Sequence, residues 1–178
     1  MGQRFIMTAF GKDRPGIVAD VTGILYENGC NLEDTSMTLM AGEFTLILLF
    51  TAGSADVADP LSRACRRLEQ EKGISAFLRP LEPPETAKPG DRVKTHTLHV
   101  EGLDQAGIVY KVSRFLADNR INIVDLKSTV KASPESGTAM YVMDIRVQIP
   151  NETAMDPVEK GLRAVADDLN VDITLSGR

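Results

Sequence analysis

The chain has 178 residues, with 20 Lys and Arg against 25 Asp and Glu, so its formal net charge is −5. Its length allows one ordinary domain or two small ones, and its 43% hydrophobic residues are typical of a globular protein. Nucleic-acid binding requires clustered cations that neutralise phosphates, and a net negative chain without a clustered stripe of Lys and Arg argues against it. We therefore expect no direct contact with DNA or RNA, and any effect on nucleic acid to pass through a partner.

The N-terminal segment and the apolar runs bear on localisation. The first residues lack the basic and apolar regions of a secretory signal, and the longest apolar run, residues 46–50, is far shorter than the roughly 20 residues that span a bilayer. We therefore expect a cytoplasmic protein without a membrane span. Cys30 and Cys65 form neither a disulfide framework nor a metal-binding spacing, and both are predicted to be small buried hydrophobic residues.

An internal repeat organises the chain, because residues 11–34 recur at an offset of 91. A stretch with three prolines and a glycine, residues 81–92, separates the two copies. We therefore predict a first domain over residues 1–81, a linker over 82–93 and a second domain over 94–178. The identical pairs are Gly11/Gly102, Asp13/Asp104, Gly16/Gly107, Ile17/Ile108, Val18/Val109, Val21/Val112, Leu25/Leu116, Asn28/Asn119, Asn31/Asn122 and Asp34/Asp125.

Each half predicts the order strand, helix, strand, strand, helix, strand, from alternating apolar residues in strands and helical spacing between them. The predicted strands are 3–10, 32–40, 43–51 and 74–79 in the first half and 95–101, 121–131, 138–149 and 171–175 in the second. This βαββαβ order predicts an α+β protein with two ferredoxin-like domains in tandem. Because helices cover one face of each sheet, the other face must be polar or hidden. A tandem copy or a second chain would hide it, and we expect a homodimer.

Enzymatic chemistry finds little support in the sequence. His96 and His99 lie three apart on a predicted strand, so their side chains point to opposite faces and do not share a metal. We find no nucleophile elbow, no Walker-type loop and no dinucleotide-binding glycine pattern. We therefore expect no enzyme, no catalytic residues, no metal and no cofactor.

The turn between the first strand and the first helix is the candidate binding site in both halves. A helix start offers unpaired amides and the positive end of the helix dipole, and Gly16 or Gly107 lets a ligand carboxylate come close. Asp13 or Asp104 offers a carboxylate for an ammonium group, and Asn31 or Asn122 offers an amide. Together these groups suit a zwitterionic amino acid.

A purely structural interpretation of the same residues stays open. Asp13 and Asp104 precede the helices where a capping side chain is favoured, and Pro15 suits a first helical turn. Gly16 eases helix–sheet packing in this interpretation, and asparagine suits the chain reversal before a strand.

The run Asp13-Arg14-Pro15-Gly16-Ile17-Val18, followed by Asn28-Gly29-Cys30-Asn31-Leu32, resembles the signature of ACT domains, which are small amino-acid-binding regulatory modules. The run from Gly29 to Met37, followed by the run from Gly42 to Leu49, is similar to the glycine cleavage system transcriptional repressor family, a tandem of two ACT domains. The resemblance implies a sensor of glycine or serine that binds an activator protein of the LysR type without touching DNA. For a glycine ligand, Gly11 and Gly16 would suit close backbone walls.

The resemblance also implies which residues contact the ligand. They are Asp13, Gly16, the amide of Ile17 and Asn31 in the first copy, with Asp104, Gly107, Ile108 and Asn122 in the second. The second copy departs from the motif, since Gln105-Ala106 replaces Arg-Pro and Arg120-Ile121 replaces Gly-Cys, and unequal binding is expected. A ligand held between the turn of one module and a strand of its neighbour would stabilise one arrangement of the pair.

Two other functions remain open at this point. One is an amino-acid-responsive regulatory subunit of a metabolic enzyme, and the other is a dimerisation module without a ligand. Formyltetrahydrofolate deformylases carry a similar Asp-Arg-Pro-Gly-Ile-Val module, but this sequence lacks their catalytic domain, which disfavours hydrolase activity.

Overall fold

The computed structural model describes residues 2–82, 93–133 and 137–177. The chain divides into two compact units, residues 1–86 and 87–178, and each is described by itself. The linker predicted over 82–93 lies outside the described residues except for its two ends, and the middle of the predicted loop at 132–137 lies outside them too.

Unit 1 forms a four-stranded antiparallel sheet in the order β2-β3-β1-β4. A short 3-10 turn, Ala55–Val57, leads into its second helix. The elements in chain order are β1 Gln3–Lys12, α1 Ile17–Glu27, β2 Asn31–Met40, β3 Glu43–Ala52, α2 Ala58–Lys72 and β4 Ser75–Pro80.

Unit 2 repeats this topology, with the antiparallel strand order β6-β7-β5-β8. Both units therefore have the βαββαβ ferredoxin-like arrangement, which confirms the predicted α+β fold in two tandem copies. The elements are β5 Val93–Leu103, α3 Ile108–Asp118, β6 Asn122–Ala132, β7 Ala139–Pro150, α4 Met155–Leu169 and β8 Val171–Gly177.

Each unit has its own hydrophobic core between the sheet and its two helices. In unit 1 the alternate residues Phe5, Met7 and Ala9 of β1 are buried, as their spacing predicts. The Phe5 and Phe50 rings stack in this core with centroids 5.6 Å apart. Cys65 is buried as predicted, but Cys30 is half-buried, because it follows the end of α1 at the rim of this core.

Left-handed backbone positions end the first helix of each unit. Gly29 has φ 64°, and the amide of Cys30 donates to the carbonyl of Leu25 at 2.9 Å, which closes the helix in a Schellman motif. Gly29 therefore lies one residue beyond the C-cap Asn28. In unit 2 the same position is Arg120, with φ 57°, although a side chain there is strained.

The uncovered faces of the two sheets differ in chemistry. In unit 1 this face carries Phe10 and Phe77, which are 44% and 64% exposed and stack with centroids 6.0 Å apart, together with Ile47. In unit 2 the corresponding face carries His99 and Asp144, whose side chains meet at 2.7 Å. The expectation of a polar or hidden face is thus met by polarity in unit 2. The face of unit 1 has an exposed apolar patch around Phe10, Phe77 and Ile47, with Thr8 and Thr45 beside it.

Among the described helices, none is both long enough and apolar enough to traverse a bilayer.

Candidate functional site

The turn between β1 and α1 is anchored by its backbone and exposed at its side chains. The amide of Asp13 donates to the carbonyl of Gly42 at 2.9 Å, which ties the turn to the hairpin between β2 and β3. Asp13 and Gly16 are both exposed, whereas the Ile17 side chain is buried in the core. The turn therefore presents the Asp13 side chain and the start of α1 to solvent.

The first turn of α1 offers free amide groups. The amide of Asp20 donates to the carbonyl of Gly16 at 2.9 Å, and the amide of Ile17 donates to that of Arg14 at 3.4 Å. Within the described residues, the amides of Val18 and Ala19 have no acceptor. The sequence points to the Ile17 amide, but its bond to Arg14 leaves those of Val18 and Ala19 as the better donors for an anion.

Gly16 is required by the backbone and not by packing. It is the N-cap of α1 with φ 87° and ψ −2°, a conformation that a side chain would strain. A Cβ atom placed there would meet nothing within 4 Å, so the interpretation in which this glycine eases helix–sheet packing is wrong. The space above the helix start is open, and a ligand has room to approach.

The capping interpretation of the aspartates is also wrong. Gly16 and Gly107 are the N-caps, and neither helix start has a side-chain capping hydrogen bond. Asp13 and Asp104 lie three residues before these caps, which is too early to bond the first helical amides. Their carboxylates are exposed and remain available to a ligand.

Gly11 does not form a wall of this site. A Cβ atom there would come within 2.9 Å of the Gly73 carbonyl oxygen and 3.3 Å of Phe44. The missing side chain therefore serves close packing inside unit 1, and the expectation that Gly11 lies against a ligand is not met. In unit 2 Gly102 does the same, because a Cβ atom would lie 2.6 Å from Val171.

Charged residues brace the turn in unit 1. The Arg14 guanidinium lies 2.5 Å from the Asp20 carboxylate, which also lies 3.7 Å from the Lys72 ammonium at the end of α2. The hydrogen bond from Arg14 is the main reason that the pKa of Asp20 lies below its usual value. Arg14 and Asp20 therefore hold the turn, α1 and α2 together and are not free to bind a ligand.

Unit 2 braces the equivalent turn with different residues. The Gln105 side-chain amide donates to the carbonyl of Leu169 at the end of α4, and Lys111 lies 2.6 Å from Asp168. The backbone is unchanged, since Gly107 has φ 98° and the amide of Asp104 donates to Ala139 at 3.1 Å. Replacing Arg14 by Gln105 thus preserves the turn by a different contact.

Asn31 lies far from the turn of its own unit. It pairs with Thr51 on β3, and Thr51 pairs with Arg4 near the start of β1. Asp13 follows Arg4 by nine residues, so roughly 30 Å of strand separates Asp13 from Asn31. These groups therefore do not meet within a single module, and one ligand could contact both only between two modules.

The same separation holds in unit 2. Asn122 pairs with Gln148, which pairs with Thr95, and Asp104 follows Thr95 by nine residues. The Asn122 amide lies 3.5 Å from the Gln148 side chain, and both asparagines are exposed. The predicted residues thus form two separate groups in each unit, the turn at one end of the sheet and the asparagine at the other.

The histidines and cysteines give no second site. His99 lies on the uncovered face of its sheet, where Asp144 at 2.7 Å and Glu101 at 3.7 Å flank its ring. The hydrogen bond with Asp144 is the main reason that its pKa is raised. Burial raises the pKa of both the Cys30 and Cys65 thiols, which keeps them protonated and weakly nucleophilic.

One surface feature was missed in the sequence. Arg63, Arg66 and Arg67 of α2 line a groove of about 580 Å³. The signal was available, because these residues recur at i, i+3 and i+4 and so share one helix face. The expectation that the chain has no clustered stripe of Lys and Arg is therefore wrong for unit 1, because a negative net charge does not exclude a local cluster of cations.

Comparison with known proteins assigns a family to part of the chain and a fold to all of it. Residues 3–78 match the ACT domain family. A UPF0237 protein from Methanopyrus kandleri is 33% identical over 76 residues, covering 42% of this chain and 84% of that protein. The glycine cleavage system transcriptional repressor of Escherichia coli (strain K12) is 26% identical over 166 residues, covering 93% of this chain and 85% of that protein.

Solved structures share the architecture of the whole chain. A protein of unknown function from Galdieria sulphuraria has a TM-score of 0.81 at 29% identity, covering 100% of this chain and 99% of that one. A second crystal structure, at 22% identity, has a TM-score of 0.71 and covers 99% of this chain and 97% of its own. The tandem arrangement of two βαββαβ units therefore recurs in other proteins.

Proposed function

We propose that this chain, which belongs to the ACT-domain family, is an amino-acid-sensing regulatory protein that acts by contact with a partner protein. Its ligand in this proposal is glycine or serine, and its partner is a transcriptional activator of the LysR type. The observation that carries the proposal is the open helix start beside an exposed aspartate, built in the same way in both units. The relationship to a glycine cleavage system repressor along 93% of the chain supports it.

The turn has the groups that an amino acid requires. The free amides of Val18 and Ala19 would bind the α-carboxylate at the positive end of α1. The exposed Asp13 carboxylate would receive the α-ammonium group. Gly107, Ile108 and Asp104 would form the corresponding site in unit 2.

The remaining contact would come from a second copy of the chain. Because Asn31 lies roughly 30 Å from the turn of its own module, it would contact a ligand at a turn only if that turn belongs to another module, which this proposal places in a second copy of the chain. The apolar uncovered face of unit 1, with exposed Phe10 and Phe77, supports self-association. Ligand binding and dimer formation would then stabilise each other.

Control of transcription would pass through the partner. The net charge of −5 disfavours a direct contact with DNA phosphates, and an effector would change the affinity for the activator by stabilising one arrangement of the dimer. No catalytic step enters the proposal, and the raised pKa of both thiols agrees with a role that uses no nucleophile.

The ligand is tested by titrating the full chain with glycine, serine, alanine and leucine in calorimetry and thermal denaturation. A ligand at 100 times its Kd stabilises the folded protein by about 2.7 kcal/mol. We expect saturable binding of glycine or serine, and Asp13→Asn and Asn31→Ala should each remove the contribution of the unit 1 site. An absent response to every amino acid would contradict sensing and favour a ligand-free dimerisation module.

The partner is tested separately with a purified LysR-type activator and its DNA site. We expect the chain to change the electrophoretic mobility of the activator–DNA complex but not that of free DNA, and we expect glycine to alter this change. A direct shift of free DNA by the chain would contradict the proposal. Binding to a metabolic enzyme in place of the activator would identify a regulatory subunit instead.

A further inference from the structure

We propose that the arginine face of α2, which comprises Arg63, Arg66 and Arg67, is a docking surface for an acidic helical segment of a protein partner. This inference rests on the proposed function, because it says which surface of the regulator meets its partner. It concerns a part of unit 1 that is distinct from the amino-acid-binding turn.

The three arginines form one continuous stripe. Their spacing of i, i+3 and i+4 continues to Gln70 at i+7, so the four side chains follow one face of α2 over about 10 Å. All four are exposed, while Leu61, Ala64, Cys65 and Leu68 bury the opposite face in the core. The stripe therefore lies on the exposed side of α2, opposite its buried face.

These cations are not neutralised inside the protein. Within the described residues, none of the three arginines has a carboxylate within 4 Å, whereas Arg4, Arg14, Arg114 and Arg163 each have one. Glu69 of α2 accepts a hydrogen bond from Ser75 at 2.9 Å, while Glu71 lines a neighbouring groove with Arg67. Like charges at helical spacing repel one another, and a bound acidic partner would remove that repulsion.

The second unit is an internal control for folding. It builds the same fold with Lys160, Arg163, Ala164 and Asp167 at the matching positions of α4. There Arg163 lies 3.7 Å from Glu159, so its charge is paired on its own helix. The βαββαβ fold therefore does not require the stripe, and its presence in unit 1 alone indicates a role in binding.

The residues that line the groove favour a protein segment over a small anion as its ligand. Asn28 and Pro60 line it together with the stripe, and Asn28 is the C-cap of α1. Neither Asn28 nor Pro60 offers a phosphate a free backbone N–H, because the Asn28 amide donates to Ile24 and proline has none. Glutamates spaced along a helix would each face one arginine of the stripe. Each guanidinium can form two parallel hydrogen bonds with one carboxylate.

The test measures the affinity of the full chain for a fluorescently labelled synthetic helical peptide. The glutamates of this peptide recur at i, i+3, i+4 and i+7. We expect it to bind at least about tenfold more tightly than a peptide of the same composition with its glutamates scattered around the helix. The double variant Arg66→Gln/Arg67→Gln should lose at least about tenfold in affinity, and Lys160→Gln/Arg163→Gln in unit 2 should not. Because the arginines are exposed, both variants should retain the thermal stability of the wild-type chain.

Equal binding of the two peptides, or equal losses in the two variants, would overturn the proposal as unspecific charge attraction. Tighter binding of inorganic triphosphate or of a DNA duplex to the same arginines would also overturn it. The amino-acid titration separates this proposal from the function it rests on. Peptide binding without a response to amino acids would refute amino-acid sensing and support the docking surface. A response to amino acids without peptide binding would refute the docking surface alone.

Discussion

Asp13 and Asn31 lie at opposite ends of the same four-stranded sheet, separated by roughly 30 Å of strand. Helix α1 runs between them, so its start lies beside Asp13 and its end beside Asn31. A single amino acid spans only a few ångströms. Two modules must therefore cooperate if both residues bind one ligand, and this requirement makes the proposed sensor dependent on association.

Mixing two inactive variants tests whether the site is shared between copies. Asp13→Asn removes the contribution of the turn and Asn31→Ala that of the strand, so each variant alone should lose the ligand response of this site. In an equal mixture that exchanges subunits, half of the dimers are mixed and each mixed dimer regains one of its two sites. Calorimetry should therefore recover about a quarter of the unit 1 sites that the wild-type protein has. No recovery in subunits shown to exchange would mean that the strand and turn do not meet across copies.

Gly16→Ala tests the left-handed position at the start of α1. With φ 87° at this residue, we expect a loss of about 1–2 kcal/mol in the free energy of unfolding, measured by urea denaturation. Gly23→Ala is the matched control in the interior of the same helix, where an added Cβ meets nothing within 4 Å. It should raise stability by about 0.5–1 kcal/mol, because alanine favours the helix. A loss at Gly23 as large as at Gly16 would contradict the conformational argument.

Arg120→Gly should stabilise unit 2. Arg120 has φ 57° where unit 1 has Gly29, and its amide makes the same closing contact, to Ala117 at 3.0 Å. Glycine removes the strain of a side chain in the left-handed region, so we expect a gain of about 1 kcal/mol in urea denaturation. Gly29→Ala in unit 1 should lose a similar amount. If both substitutions were neutral, the left-handed positions would carry no strain.

The His99 cluster predicts a dependence of stability on pH. Asp144 and Glu101 raise the pKa of His99 in the folded protein above its reference value of 6.5. The stabilisation is complete below that reference value and is lost as the pH rises through the higher folded value. His99→Gln should therefore reduce the free energy of unfolding more at about pH 5.5 than at about pH 8.5, by a few tenths of a kcal/mol for this 43% exposed side chain. A larger loss at the higher pH would contradict the assigned direction.

The two halves should fold independently. Each unit has a separate cluster of buried residues, with Phe5, Phe44 and Phe50 in the first and Met143 and Ile145 in the second. Fragments 1–81 and 94–178, expressed separately, should each show cooperative thermal unfolding followed by circular dichroism. If either fragment unfolds non-cooperatively at every protein concentration tested, the result would contradict the proposed domain boundaries.

Local patterns explain why so much of the fold was predictable. Apolar residues recur where the fold buries one face of an element. They alternate along β1, as Phe5, Met7 and Ala9 do, and recur at helical spacing in α1. The left-handed turn at Ala41 and Gly42, with φ 52° and 83°, follows from the short hairpin connection between β2 and β3. The interpretation of Asp13 as a helix cap failed because Gly16 takes that position, and only the backbone geometry reveals the difference.

The sequence by itself determined the repeat, the order of elements in each half and the residues of the exposed turn, because these depend on neighbours a few positions apart. Only the tertiary structure decided that Asn31 and Asp13 are far apart, because that depends on the pairing of β2, β3 and β1 across long separations. Tertiary packing likewise decided that one uncovered face is apolar and the other polar. It also left the arginine face of α2 without internal partners within the described residues. Pairing and burial are collective properties of residues distant in the chain, so a local pattern does not specify them.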